Sequence, residues 1–282
     1  MGTTLLRLRR AVTLIEVLVA LAIVGVLIGL TIPAAATLRA RSCDSVIARE
    51  IAALSHALEM YKLDKGDYPP SMGEDYSPAN RYLTICEQHL RTCYPKMSRE
   101  AKNYFYDYIA PELDQDEAIV FWLSLTTLDE RDPFPVAVLN GNPVPKPWGS
   151  TTARPRVYFD FDADRLWDTP DDPDAFPAYR PPYCQGTSFV HIDARYYRLH
   201  LTPTTAAISA VQPYFDAEGK PIHPTTYQII TAGQDGEYGP LYDAVGDPSL
   251  LKHFPNGVNF GDSDGDNVTS FSQGKRLSAW LP

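Results

Sequence analysis

The stretch AVTLIEVLVALAIVGVLIGLTIP, Ala11–Pro33, decides how this chain is read. It is apolar except for one carboxylate, Glu16, close to its front edge, and Arg7, Arg9 and Arg10 come just before it. Val17 to Leu38 carries no charge. As a helix it would measure about 33 Å at roughly 1.5 Å per residue, against a hydrocarbon core of about 30 Å. Basic residues on the leading side predict a cytoplasmic N-terminus and an external body. An ordinary secretory signal is the competing reading, with Ala34, Ala35 and Ala36 as small residues to cleave after. Its apolar part would be long, and it has no need of a carboxylate. A charge at mid-bilayer costs about 2.5–3.5 kcal/mol on insertion scales, and less near the interface. Thr13-Leu14-Ile15-Glu16 also fits the S/T-x-x-E capping box, in which Glu16 would only close the helix start.

The pattern continues past Pro33. Ile47, Ile51, Leu54, Leu58 and Tyr61 recur at spacings of four and three, an apolar stripe along one helical face. Arg49, Glu50, His56, Glu59 and Lys62 take the remaining faces. Asp64-Lys65-Gly66 ends the helix and Tyr68-Pro69-Pro70 forces extended chain. The spacing predicts one helix from about Thr13 to Leu63, lipid-suited in its first half and amphipathic in its second.

Arg-Arg-Ala-Val-Thr-Leu-Ile-Glu-Val-Leu-Val-Ala resembles the processing site of type IV pilins and type II secretion pseudopilins. The resemblance implies cleavage by a prepilin peptidase between Ala11 and Val12, N-methylation of Val12, and pairing of Glu16 with the N-terminal amine of a neighbouring subunit. The family pattern has Gly before the cut and Phe after it, where this chain has Ala11 and Val12. Gly25 and Pro33 fall where pilin helices often carry these residues. Leu58 and Tyr61, followed by Gly66-Asp67-Tyr68-Pro69, are similar to the end of a pseudopilin helix. Tyr158–Asp162, Tyr227–Gly236 and Asp266–Phe271 look like the sheet and C-terminal loop of large pseudopilin-like proteins.

The 282 residues carry a net charge of −10, which argues against nucleic acid as a general partner. The 25 prolines and 17 tyrosines suggest a loop-rich body with short strands. The expected fold is α+β: a long N-terminal helix packed on a C-terminal antiparallel β-sheet domain with large loop insertions. The expected organisation is a leader over 1–11, the helix over 12–65 and a globular domain over 66–282. Helical pieces are expected near Asn80 to Arg91 and over Asp114 to Leu128. Strands are expected over Phe134–Leu139, Arg156–Phe161, Phe189–Leu201, Ala207–Val211 and Tyr227–Thr231. Asp168 to Pro182 reads as a solvated loop.

Gly261-Asp262-Ser263-Asp264-Gly265-Asp266 places three carboxylates at alternate positions, the kind of oxygen-rich loop that suits Ca²⁺. It is not an EF-hand, which needs glycine where Asn267 stands and glutamate where Gln273 stands. Major pseudopilins hold calcium in their C-terminal loop, so the resemblance supports the same expectation, with Asp235 as a further candidate ligand. The bland alternative is an Asx-turn loop facing water. The cysteines are Cys43, Cys86, Cys93 and Cys184, and they allow three fully paired connectivities. Cys86 and Cys93 are closest in sequence and make the expected disulfide; with His89 they could also form part of a zinc site lacking a fourth ligand. His191, Asp193 and His200 read as a solvated strand face. No catalytic motif stands out, and the chain is expected not to be an enzyme.

Two functions compete. The first is a structural subunit of a type II secretion pseudopilus or type IV pilus. Its partners would be prepilin peptidase, other pilin or pseudopilin subunits, an inner-membrane assembly platform and membrane lipid. It would cross the inner membrane once and carry its body in the periplasm. The second is a membrane-tethered binding or hydrolytic domain that uses the helix only as an anchor.

Overall fold

The structure, a computed structural model, describes residues 14–72, 81–111, 113–134, 138–139, 142–143, 154–167, 176–182, 187–197, 211–244 and 247–281. The expected leader, the Ala11–Val12 junction, Cys184 and His200 lie outside them. Two compact units divide the chain, the first ending at Ser42 and the second beginning at Cys43.

Helix α1 runs over Leu14–Lys65 and crosses that division, so its amphipathic half is part of the second unit. In the first unit, Leu14, Ile15, Val17, Leu18, Leu21, Ile23, Val26 and Leu27 are all exposed. Among the described residues no helix is long and apolar enough to cross a membrane. The expected span over Val17–Leu38 is not met among the described residues.

In the second unit the expected stripe is the buried one: Ile47, Ile51, Leu54, Leu58 and Tyr61 lie within the main core. The helix stops at Gly66, whose φ of +91° is in the left-handed region that side chains resist, and whose N–H bonds the Lys62 carbonyl at 2.7 Å. Helix α2 covers Arg81–Cys93 and the short α3 covers Arg99–Tyr104. Ser98 caps α3 by accepting from the Ala101 N–H at 3.1 Å, and the chain continues into a π-turn over Phe105–Ile109. Helix α4, Ala118–Ser124, is buried along six consecutive residues. The expected Asp114–Leu128 helix is shortened because Thr126 and Thr127 go extended to pair with Arg156 and Pro155.

The central sheet has three strands: β1 Phe189–Asp193, β2 Tyr227–Thr231 and β3 Val268–Thr269, all antiparallel, with β2 in the middle. Alternation splits its side chains between two cores. Phe189, Tyr227 and Ile229 join the helical core, while Val190, Ile192 and Ile230 join a second cluster with Tyr196, Tyr214 and Leu277. With both faces covered, His191 and Asp193 are buried, which corrects their reading as a solvated face. β1 stops at Asp193 because its carboxylate takes the Arg195 N–H at 2.8 Å and starts a 3₁₀ turn. Within the expected strand over Phe134–Leu139, Val138–Leu139 is a strand while Phe134 is not; that over Arg156–Phe161 is reduced to Pro155–Arg156, and Val211 lies outside any strand. Lys252–His253 pairs in parallel with Tyr214–Phe215, so the ladders are not all antiparallel.

Long-range ion pairs tie the helix to this body. Arg165 forks onto Glu50 at 2.6 and 2.7 Å, and the Tyr179 hydroxyl donates to the same carboxylate at 2.8 Å. Arg276 forks onto Asp44 at 2.8 and 3.0 Å. Arg195 joins Asp67 and the Tyr68 carbonyl near the helix end to Asp193 on β1.

Candidate functional site

Glu16 lies in the first turn of α1 and is exposed. The partial positive charge of a helix N-terminus favours a carboxylate there. Behind it, apolar side chains point outward on every face of the helix as far as Ile28. A helix apolar all round is normally enclosed, in lipid or by other helices. Gly25 and Gly29 have open space where a Cβ would stand, so another backbone could approach them closely.

The C-terminal acids do not converge as expected. Asp262–Asp266 is a 3₁₀ turn, with about three residues per turn, so carboxylates two apart diverge around its axis. Asp262 is exposed. Asp264 is buried and bonds Lys252 Nζ at 2.7 Å. Asp266 turns the other way and accepts the Asp235 N–H at 3.1 Å and the Gln234 N–H at 2.5 Å. Burial raises the Asp266 pKa. Asp235 spends an oxygen on the Glu237 N–H at 2.9 Å. Among the described residues no group of three or more histidines, cysteines or acids is placed to hold a metal ion. Asp235, Asp262, Asp264 and Asp266, the residues of the calcium expectation, are thus not gathered into one such group among the described residues. The central ligand, Asp264, is already committed to an ammonium group.

The Cys86–Cys93 disulfide is also corrected: both are free thiols, as is Cys43. They sit seven residues apart on α2. That separates their Cα atoms by about 10 Å, beyond the roughly 7 Å that a disulfide can bridge. Burial raises the Cys86 thiol pKa and pushes that of Cys93 up to about 12, so both stay protonated near neutrality. Between them His89 stacks on Tyr61 with ring centroids 5.8 Å apart and meets the Trp122 edge at 5.2 Å. Its Nε2 bonds the Tyr61 hydroxyl at 2.8 Å, and its Nδ1 lies 3.5 Å from Cys93 Sγ.

Burial, then Arg195 and Lys65, hold the His89 pKa well below its ordinary value. The imidazole is thus neutral in the fold and readily protonated in the unfolded chain, whose pKa is about 6.5. Its contribution is present above about pH 6.5 and is lost as pH falls toward the depressed value, at up to about 1.4 kcal/mol per pH unit. In urea unfolding of detergent-solubilised chain from pH 7.5 to 5, His89→Gln should lose less stability with acidity than the wild type. Equal slopes would show that His89 does not titrate on unfolding.

Residues 6–32 match the family model of the prokaryotic N-terminal methylation motif, the signature of type IV pilins and pseudopilins. The N-terminal segment thus carries the signature of pilin-like proteins. That motif points to a pilin-like substrate of prepilin peptidase and to the membrane-associated, assembled filaments such proteins form. No curated protein and no solved structure matches the chain.

Proposed function

We propose that this chain is a structural subunit of a type II secretion pseudopilus or type IV pilus. The observation that carries the proposal is the continuity of the methylation motif with a helix apolar on every face. Unpaired, that helix would expose far more apolar surface than a monomer normally tolerates. Lipid covers it before assembly and sibling helices cover it afterwards. The arginines at 7, 9 and 10 hold the leader in the cytoplasm, and the body from Cys43 onward lies in the periplasm. Prepilin peptidase cuts between Ala11 and Val12, and an inner-membrane platform loads the mature chain. A body of this size suits a minor or specialised subunit.

Co-expression with a prepilin peptidase should shorten the chain by the first eleven residues, read as a mass shift of the membrane-extracted protein. An unshifted mass with active peptidase present would leave only the tether reading.

A further inference from the structure

The pair Lys252 and Asp264 lies deep in the body, with its side chains 2% and 0% exposed and Nζ 2.7 Å from Oδ1. Two full charges taken out of water carry a desolvation cost that their attraction only partly offsets. The surroundings are built on the carboxyl group. The Tyr214 hydroxyl donates to Oδ1 at 2.7 Å. Asn267 Nδ2 donates to that same hydroxyl at 3.1 Å, which leaves the phenolic proton aimed at Asp264. The Gly261 N–H donates to Oδ2 at 2.8 Å. Gly239, at φ +80°, leaves room for this carboxylate: a Cβ there would stand 2.3 Å from Oδ2. Lys252 Nζ has a second acceptor in the Tyr238 carbonyl at 3.1 Å.

We propose that Lys252 and Asp264 condense to an intramolecular amide, cross-linking the strand Lys252–His253 to the turn Asp262–Asp266. The ammonium first gives a proton to Oδ1, leaving a neutral amine beside a carboxylic acid. Burial lowers the Lys252 pKa and so favours that transfer, against the opposing pull of Asp264. The Nζ lone pair then forms a bond to Cγ, and the π electrons move onto Oδ2. There the Gly261 N–H meets the growing negative charge, as an oxyanion donor does. A second amine proton passes through the Tyr214 hydroxyl to the Oδ1 hydroxyl. The Cγ–Oδ1 bond breaks, water leaves, and the carbonyl reforms at Oδ2. One amide and one water result, with no change of oxidation state and no further reactant. Both buried charges vanish, while the Gly261 and Tyr238 hydrogen bonds keep partners in the amide.

The full chain, extracted from membranes in detergent, denatured and digested with trypsin, tests this. An amide at Lys252 removes the charge that trypsin recognises. The expected product is one peptide running uncut through Lys252 to Lys275, lighter than its sequence by one water, with no backbone fragments from within 253–263. Lys252→Met should restore the unmodified mass. A wild-type peptide ending at Lys252 with its mass unaltered would overturn the proposal and leave a salt bridge. So would a water loss that persists in Lys252→Met, because Asp264-Gly265 can lose water by closing on its own backbone.

Discussion

Glu16→Ala is expected to enter the membrane as well as the wild type and to co-purify with sibling filament subunits about a hundredfold less. Insertion depends on the apolar run, which the change leaves intact. Assembly depends on what Glu16 meets among packed helices, where little water reaches. Removing one partner of a buried ion pair strands the other charge and costs about 3–5 kcal/mol, and each 1.4 kcal/mol is about tenfold in affinity. Glu16→Gln separates this account from a local one. Glutamine serves in a capping box as glutamate does, so a helix cap would be rescued by it. A charge that pairs with a neighbour's amine would not. Recovery of the subunits with the Gln variant at wild-type levels would reduce Glu16 to a cap.

Trp122→Ala is expected to destabilise the body by about 3–5 kcal/mol, a large share of the roughly 5–15 kcal/mol a domain commonly has. Trp122 is fully buried on α4. Its ring lies 4.9 Å from that of Phe121, 5.2 Å from His89 and 5.9 Å from Phe105, and it meets Tyr61 edge-on at 6.5 Å. Truncation removes the side chain by which α4 meets α1, α2 and the turn over Phe105–Ile109, and leaves a cavity whose walls cannot all collapse. Trp122→Phe should cost clearly less. It keeps an aromatic ring in the cluster, and the indole N–H it deletes has no hydrogen-bond partner among the described residues. Urea unfolding followed by circular dichroism would measure both. A cost below about 1 kcal/mol for the alanine variant would mean that this cluster is not the centre of the core.

How far the sequence could be read follows from how local each feature is. The stripe from Ile47 to Tyr61 was legible because a helix repeats its environment every three or four residues, and Gly66 marks its end by backbone geometry alone. Tyr227–Thr231 was legible as a strand, yet the second core covering the sheet was not, so His191 and Asp193 were placed facing water. Glu50 reads only as lying off the apolar stripe of the helix. Its partner, Arg165, is 115 residues away, and no local pattern reports such a pair. Cys86 and Cys93 look close as letters, but a helix holds them too far apart to bond. The acids from Asp262 to Asp266 look like a ligand loop when read as alternation, and a 3₁₀ turn sends them in different directions. Lys252 gave no signal, because its role depends on a parallel pairing with Tyr214–Phe215 that brings it to Asp264.

The central claim is that this chain is processed and built into a filament through its N-terminus. Peptide mapping of the chain extracted from its native membranes reads that terminus directly. The account predicts a first residue of Val12 bearing a methylated amine. A first residue near Thr37, in protein released to the soluble fraction, would contradict it and make residues 1–36 an ordinary signal.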